Sequence, residues 1–269
     1  MGQPVRYGKA CQGCRNFKVM AAAIGTSPES GRFGKRPVFF CQRAAVSVSI
    51  LPMQEKKTRH RRKEDNGKIM TKTVCFTGKR PKDLFGYEKD RYTALVDRLT
   101  QECIRLAGQG YGRFITGGAQ GADQLAFWAV DKAKRQEPKI QNAVFRPFEG
   151  QETRWAQGGL FGQKEYRLML RRADVMITCS DRPDPTEGMG GVVKMMNLRN
   201  HAMVDASGLV FGICRGNPWD GSCKGGTAEC LKYAAATGKE IFLFDPFSME
   251  GQYVFLNGCW ERVWIGGHK

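Results

Sequence analysis

From Thr73 onward, short apolar runs alternate with stretches in which apolar residues recur every three or four positions. The first pattern fits buried strands, the second helices with one apolar face. Strands are expected over Thr73–Thr77, Gly112–Thr116, Asn142–Pro147, Asp174–Cys179, Gly208–Cys214 and Glu240–Phe244. Helices are expected over Asp90–Ala107, Ala122–Arg135, Gln163–Arg172, Val192–Val204 and Thr227–Thr237. Strands separated by helices require right-handed crossovers. The expected fold class is therefore α/β: a Rossmann-like, doubly wound, mostly parallel sheet.

Two of these strands lead through glycine into a helix. One such turn reads Thr116-Gly117-Gly118-Ala119-Gln120-Gly121-Ala122-Asp123, the other Lys224-Gly225-Gly226-Thr227-Ala228-Glu229. A helix that starts at such a turn directs unpaired amides and the positive end of its dipole at one spot, and missing side chains let an anion approach. Thr77-Gly78-Lys79-Arg80-Pro81 ends the first strand in the same way. Ligands of doubly wound sheets bind beyond the C-terminal strand ends, so the three turns are expected to share one crevice. A GxGxxG after the first strand and a Walker A loop are both missing. Ordinary NAD-dehydrogenase and kinase readings therefore fail.

Charge is unevenly spread along the 269 residues. Residues 1–72 hold 16 Lys/Arg against 4 Asp/Glu, leaving 27 against 22 for the rest. The net +17 thus describes mainly the N-terminal segment, and the α/β part carries no basic excess that would mark it as a nucleic-acid reader. No apolar run approaches the roughly 20 residues that span a bilayer, so no membrane partner is expected. Ten scattered cysteines point to a reducing, cytoplasmic setting rather than a disulfide scaffold.

Residues 1–69 lack periodicity and read as a basic, disordered extension. Met70-Thr71-Lys72 stands directly before the first strand as a native start would, so part of this extension is expected to be an over-extended reading frame. Cys11 and Cys14 form a CxxC, with Cys41 as the nearest further thiol. Their spacing lacks the second short ligand pair of a zinc site, and no metal is expected. The run Lys56–Lys63 suits phosphate backbones electrostatically, and equally a solvated linker. Residues 70–246 form the expected nucleotide-binding domain. Residues 247–269 are expected to form an extension whose Trp260 and Trp264 pack back onto it.

Phe76-Thr77-Gly78-Lys79-Arg80-Pro81 followed by Phe85-Gly86-Tyr87 resembles the FTGHRP…GY opening of the YpsA-like branch of the SLOG superfamily. That superfamily also holds the DprA/Smf DNA-processing proteins and the Lonely Guy enzymes. Gly117–Asp123 is similar to its GGAxGxD turn, and Tyr166 through Met169-Leu170 to Asp174 to its Y…ML..AD block. Arg199–Asp205 resembles RNxxMVD, and Gly225–Lys239 resembles GGT…YA…GK. The blocks run in order over about residues 73–246. Two departures stand out. Lys79 replaces a frequent His, and an insertion over Arg215–Lys224 brings Cys214, Trp219 and Cys223 with it.

The resemblance implies a Rossmann-like protein that binds a nucleotide or nucleotide-derived, ADP-ribose-like ligand in a sensor or regulatory role. A Lonely Guy-like N-glycosidic or phosphoribosyl hydrolase and a DprA-like nucleic-acid-binding protein are the alternatives. The residues expected to touch ligand are Thr77, Gly78, Arg80, Gly117, Gly118, Ala119, Gly121, Asp123, Gly225, Gly226 and Thr227. Thr227 doubles as the expected helix N-cap. Glu229 is the only catalytic candidate, set one residue closer to Thr227 than in the Lonely Guy motif. Arg199 and Asp205 are expected to pair, while Trp155 and Tyr166 are read as core rather than as base-stacking groups. No tightly bound cofactor is indicated. Relatives of this fold often self-associate, and no stretch of the sequence marks an interface.

Overall fold

The computed structural model describes residues 72–262. Eight strands form one sheet in the order β4-β3-β2-β1-β5-β6-β7-β8. Six are parallel: β1 (Lys72–Gly78), β2 (Tyr111–Thr116), β3 (Gln141–Arg146), β4 (Val175–Thr178), β5 (Leu209–Ile213) and β6 (Glu240–Asp245). Two more, β7 (Glu250–Leu256) and β8 (Cys259–Arg262), continue it antiparallel. The α/β, mostly parallel architecture is the one expected. The expectations for residues 1–69, including Cys11, Cys14 and Cys41, fall outside the described residues, as does Trp264.

Alternation along the parallel strands builds two cores. Val74 and Phe76 of β1 face helices α1 (Lys89–Gly108) and α2 (Ala122–Ala133), and Cys75 between them faces the opposite side. Phe76, Phe114, Phe211, Phe242 and Phe244 line the first face, against Leu95, Leu99 and Leu106 of α1. That leucine spacing is the apolar stripe of an amphipathic helix. Helix α3 (Gln163–Arg172) joins the same side through Tyr166 and Met169, packed on Phe127 and Val144. The second face takes Met203 and Val204 of α4 (Gly188–Asp205) and Leu231 of α5 (Gly226–Ala236). Among the described residues no helix is long and apolar enough to cross a membrane.

Two elements depart from the sequence reading. Helix α4 starts at Gly188 rather than Val192, led in by a 3₁₀ turn over Pro185–Glu187 in which the Asp184 carboxylate accepts from the Thr186 amide at 2.8 Å. Three early glycines weaken helix propensity there and hide the start. The segment after residue 246 adds strands to the sheet edge instead of simply packing on the domain. Asn257 and Gly258, both at positive φ, make the two-residue hairpin turn between β7 and β8.

The strand order has one consequence for function. The chain steps outward from β1 to β4, then returns through α4 to lay β5 on the other flank of β1. The switch of direction falls between β1 and β5, where a doubly wound sheet opens a crevice.

Candidate ligand crevice at the switch point

Gly78 ends β1 opposite Ile213 of β5. A Cβ there would strike the Ala122 side chain and lie 2.8 Å from the Ile213 carbonyl, so only glycine fits. The next residue, Lys79, donates its amide to Ile213 at 3.2 Å and accepts from the Ala122 amide at 3.1 Å. The turn is thus tied to both β5 and α2. Pro81 then opens a 3₁₀ turn and leaves Arg80 extended at the crevice wall.

The β2 turn is shaped from within. Gly118 and Gly121 hold φ of 68° and 92°, which favour glycine. At Gly117 the space of a Cβ is filled by the Arg199 guanidinium. Arg199 reaches from α4 to Asp123, which accepts from its Nη1 and from the Ala119 amide, each at 3.3 Å. The expected Arg199–Asp205 pair is therefore not formed. Asp205 instead accepts from the Tyr233 hydroxyl at 3.0 Å. Burial pushes the Asp123 carboxyl up from the usual range, while Arg199 and Arg80 pull it back. Arg80 is itself depressed by burial, with Asp123 opposing. The buried Nε of Arg199 has no partner among the described residues.

The third turn brings α5. Gly225 is its N-cap at φ 78°, and Thr227 lies inside the helix with its hydroxyl donating to the Gly78 carbonyl at 2.9 Å. The expected Thr227 cap is thus replaced by a clamp between two turns. Lys79 Nζ donates to the Lys224 carbonyl at 2.6 Å, joining the same turns from outside. A Cβ at Gly226 would meet nothing within 4 Å. The first amides of a helix have no intrahelical acceptor, and α5 begins in the crevice wall with Gly225, Gly226 and Thr227.

These turns enclose a crevice of ≈ 380 Å³, the lower end of the range of small-molecule sites. Thr77, Gly78, Arg80, Ala119, Asp123, Gly225, Gly226 and Thr227 line it. Gly117, Gly118 and Gly121 stand behind this lining and serve packing and backbone conformation. Glu229 is outside it, exposed and 3.3 Å from Lys232. Five basic side chains (Lys79, Arg80, Lys82, Arg199, Lys224) face two acidic ones, Asp83 and Asp123. Trp155 and Tyr166 pack edge-to-face at 5.1 Å, with Tyr166 fully buried.

A profile of the YspA SLOG family matches residues 74–249. The chain belongs to that family. Its relatives include the uncharacterized SPbeta prophage-derived protein YoqJ of Bacillus subtilis (strain 168), 32% identical over 63% of this chain and 95% of that protein. The UPF0398 protein BH1768 of Halalkalibacterium halodurans is 29% identical over 51% of this chain and 68% of its own length. Among solved structures, the X-ray structure of TM1055 matches with a TM-score of 0.38 and 19% identity, over 64% of this chain and 72% of that one.

Of the blocks by which this SLOG chain resembles its family, the openings after β1 and β2, the arginine of α4 and the start of α5 all supply crevice residues. The sequence reading missed the α4 wall: Val193, Met196, Asn197 and Asn200. Their i, i+3, i+4, i+7 spacing places them on one helix face and was a usable signal. Lys82 and Lys224 were also missed, although each adjoins a motif residue.

Proposed function

We propose that the crevice binds a nucleotide or nucleotide-derived ligand, ADP-ribose-like in carrying phosphate between sugar-borne ends, and that the protein acts as a sensor or regulator. The observation that carries this reading is Gly226, the first residue of α5 in the crevice wall, whose side-chain space is empty. A phosphate there meets backbone N–H groups and the helix dipole, with Arg80 as a charged, fork-shaped donor. Lys79, Lys82 and Lys224 add positive charge around it. Val193 and Met196 offer an apolar wall to a base, and Asn197 and Asn200 offer donors and acceptors beside it. The seven free cysteines of the described residues support a reducing, cytoplasmic setting, and the prophage origin of YoqJ supports a phage-related one.

The test is a thermal-shift series on the full chain with ADP-ribose, NAD and nucleoside mono- and diphosphates, followed by mass spectrometry of each mixture. A ligand at a hundred times its Kd adds about 2.7 kcal/mol, several degrees in midpoint. A shift that disappears in Arg80→Ala, with the ligand recovered intact, supports the sensor. Recovery of free base and ribose phosphate transfers the reading to a hydrolase, whose carboxylate would be Asp83 or Asp123, because Glu229 lies outside the crevice. Absence of any shift across the series sinks the nucleotide reading.

A further inference from the structure

Cys214 follows β5, and Cys223 stands just before Lys224 and the glycine turn of α5. The loop between them is folded back on itself. The Asn217 amide donates to Ser222 Oγ at 2.7 Å, the Trp219 amide to Asn217 Oδ1 at 2.8 Å, and the Cys223 amide to the Asn217 carbonyl at 3.2 Å. Gly216, at φ 84°, makes the bend against Ser222. This closure places the two thiols side by side in one core cluster, with Cys214 as donor toward Cys223. Lys79, the cation that also holds the Lys224 carbonyl, hydrogen-bonds to Cys223.

The other buried thiols are in unlike surroundings. Burial pushes Cys75 and Cys103 far up, and Cys230 to about 11. Cys223 is brought down from the usual thiol range, first by the hydrogen bond from Cys214 and further by Lys79, against the effect of burial. A thiol whose thiolate is favoured in this way, beside a second thiol, has the make-up of a nucleophile with its resolving partner. Cys223 is buried, and its neighbours Ser222 and Lys224 are exposed.

We propose that Cys214 and Cys223 are a redox-active dithiol that closes to a disulfide with hydrogen peroxide as oxidant. The Cys223 thiolate attacks one peroxide oxygen, and the O–O bond breaks. Hydroxide leaves and takes a proton to become water, and Cys223 becomes a sulfenic acid. The Cys214 sulfur then attacks the Cys223 sulfur, forming S–S and breaking S–O, and the second water leaves with the Cys214 proton. Two thiols are oxidised by two electrons and one peroxide is reduced to two waters; a dithiol reductant reverses the change. The disulfide removes the thiolate from Lys79 and braces the segment that carries Gly225 and Gly226. It thereby acts on the nucleotide crevice, and only this consequence rests on the function proposed above.

The experiment uses the full chain without ligand, so its result is separate from nucleotide binding. Reduced protein is treated with graded hydrogen peroxide, its remaining thiols are alkylated, and the digest is analysed by mass spectrometry. The expected result is a Cys214–Cys223 linked peptide that forms faster at pH 8 than at pH 6, following the thiolate fraction, and is reversed by dithiothreitol. In Cys214→Ser the reaction should stop at a sulfenic acid on Cys223 trapped by dimedone, and in Cys223→Ser no such adduct should form on Cys214. Oxidation that reaches Cys259 or the N-terminal cysteines while Cys214 and Cys223 stay alkylatable overturns the proposal. So does a linking rate that is flat across this pH range.

Discussion

At Gly117 the volume of a side chain belongs to the Arg199 guanidinium, whereas at Gly226 nothing lies within 4 Å. Gly117→Ala must expel Arg199 from its contact with Asp123, leaving buried charge unpaired at a cost of about 3–5 kcal/mol. Urea unfolding should show that loss directly. Gly226→Ala, in the first turn of α5 and without positive φ, should leave stability unchanged or raise it by up to about 1 kcal/mol. Its thermal shift with the nucleotide ligand should nevertheless shrink or vanish, because the new methyl occupies the approach to the amides. Sequence marked both glycines as ligand contacts, since a glycine turn looks alike whether its space is taken by the protein or left for a guest. The partner of Arg199 was illegible for a related reason. Asp205 is near in sequence, but Asp123 is the carboxylate that the fold brings to the β2 turn. Thr227 was similarly read as a local cap because its bond to Gly78 depends on two turns meeting across the sheet.

Among the elements, the six parallel strands and the five helices were legible because each carries its own period, and the structure moves their ends by only a few residues. The crevice wall from α4 was not, because glycines mask the helix start and because its apolar residues are not all turned to the core. Val193 is 53% exposed and Leu198 46%. The hairpin of β7 and β8 carried a readable signal in Asn257-Gly258, yet its half-buried strand lacks a clean alternation. This hairpin also steadies the inserted loop, since Trp219 stacks on Phe255 at 6.2 Å and an interplanar angle of 9°. Phe255→Ala should cost about 3 kcal/mol, as for other buried aromatic deletions. Hydrogen exchange should then rise in the 214–224 loop as well as along β7.

For the whole molecule, charge and site are carried by separate parts. Residues 1–72 hold most of the net positive charge, while the crevice is built from residues 76–227. Retention of DNA by the full chain, read by fluorescence anisotropy, should fall steeply with salt as phosphate contacts release counterions. It should be lost in a version beginning at Met70, which should keep the nucleotide-dependent thermal shift. Persistence of tight DNA binding in the shortened chain would instead favour the DprA-like alternative.

The return of the chain to β1 also sets an order on synthesis. As the protein leaves the ribosome, β2, β3 and β4 can assemble on one flank of β1, but the other flank waits for β5. Until α5 follows, Gly78 has no Thr227 hydroxyl and the crevice has only part of its wall. A nascent or truncated chain that stops short of β5 therefore leaves one edge of β1 unpaired, a surface open to misassembly and to chaperones. Ligand capture is in this sense a late event in the life of each molecule, and a ligand supplied during translation would favour those chains that have completed the sheet.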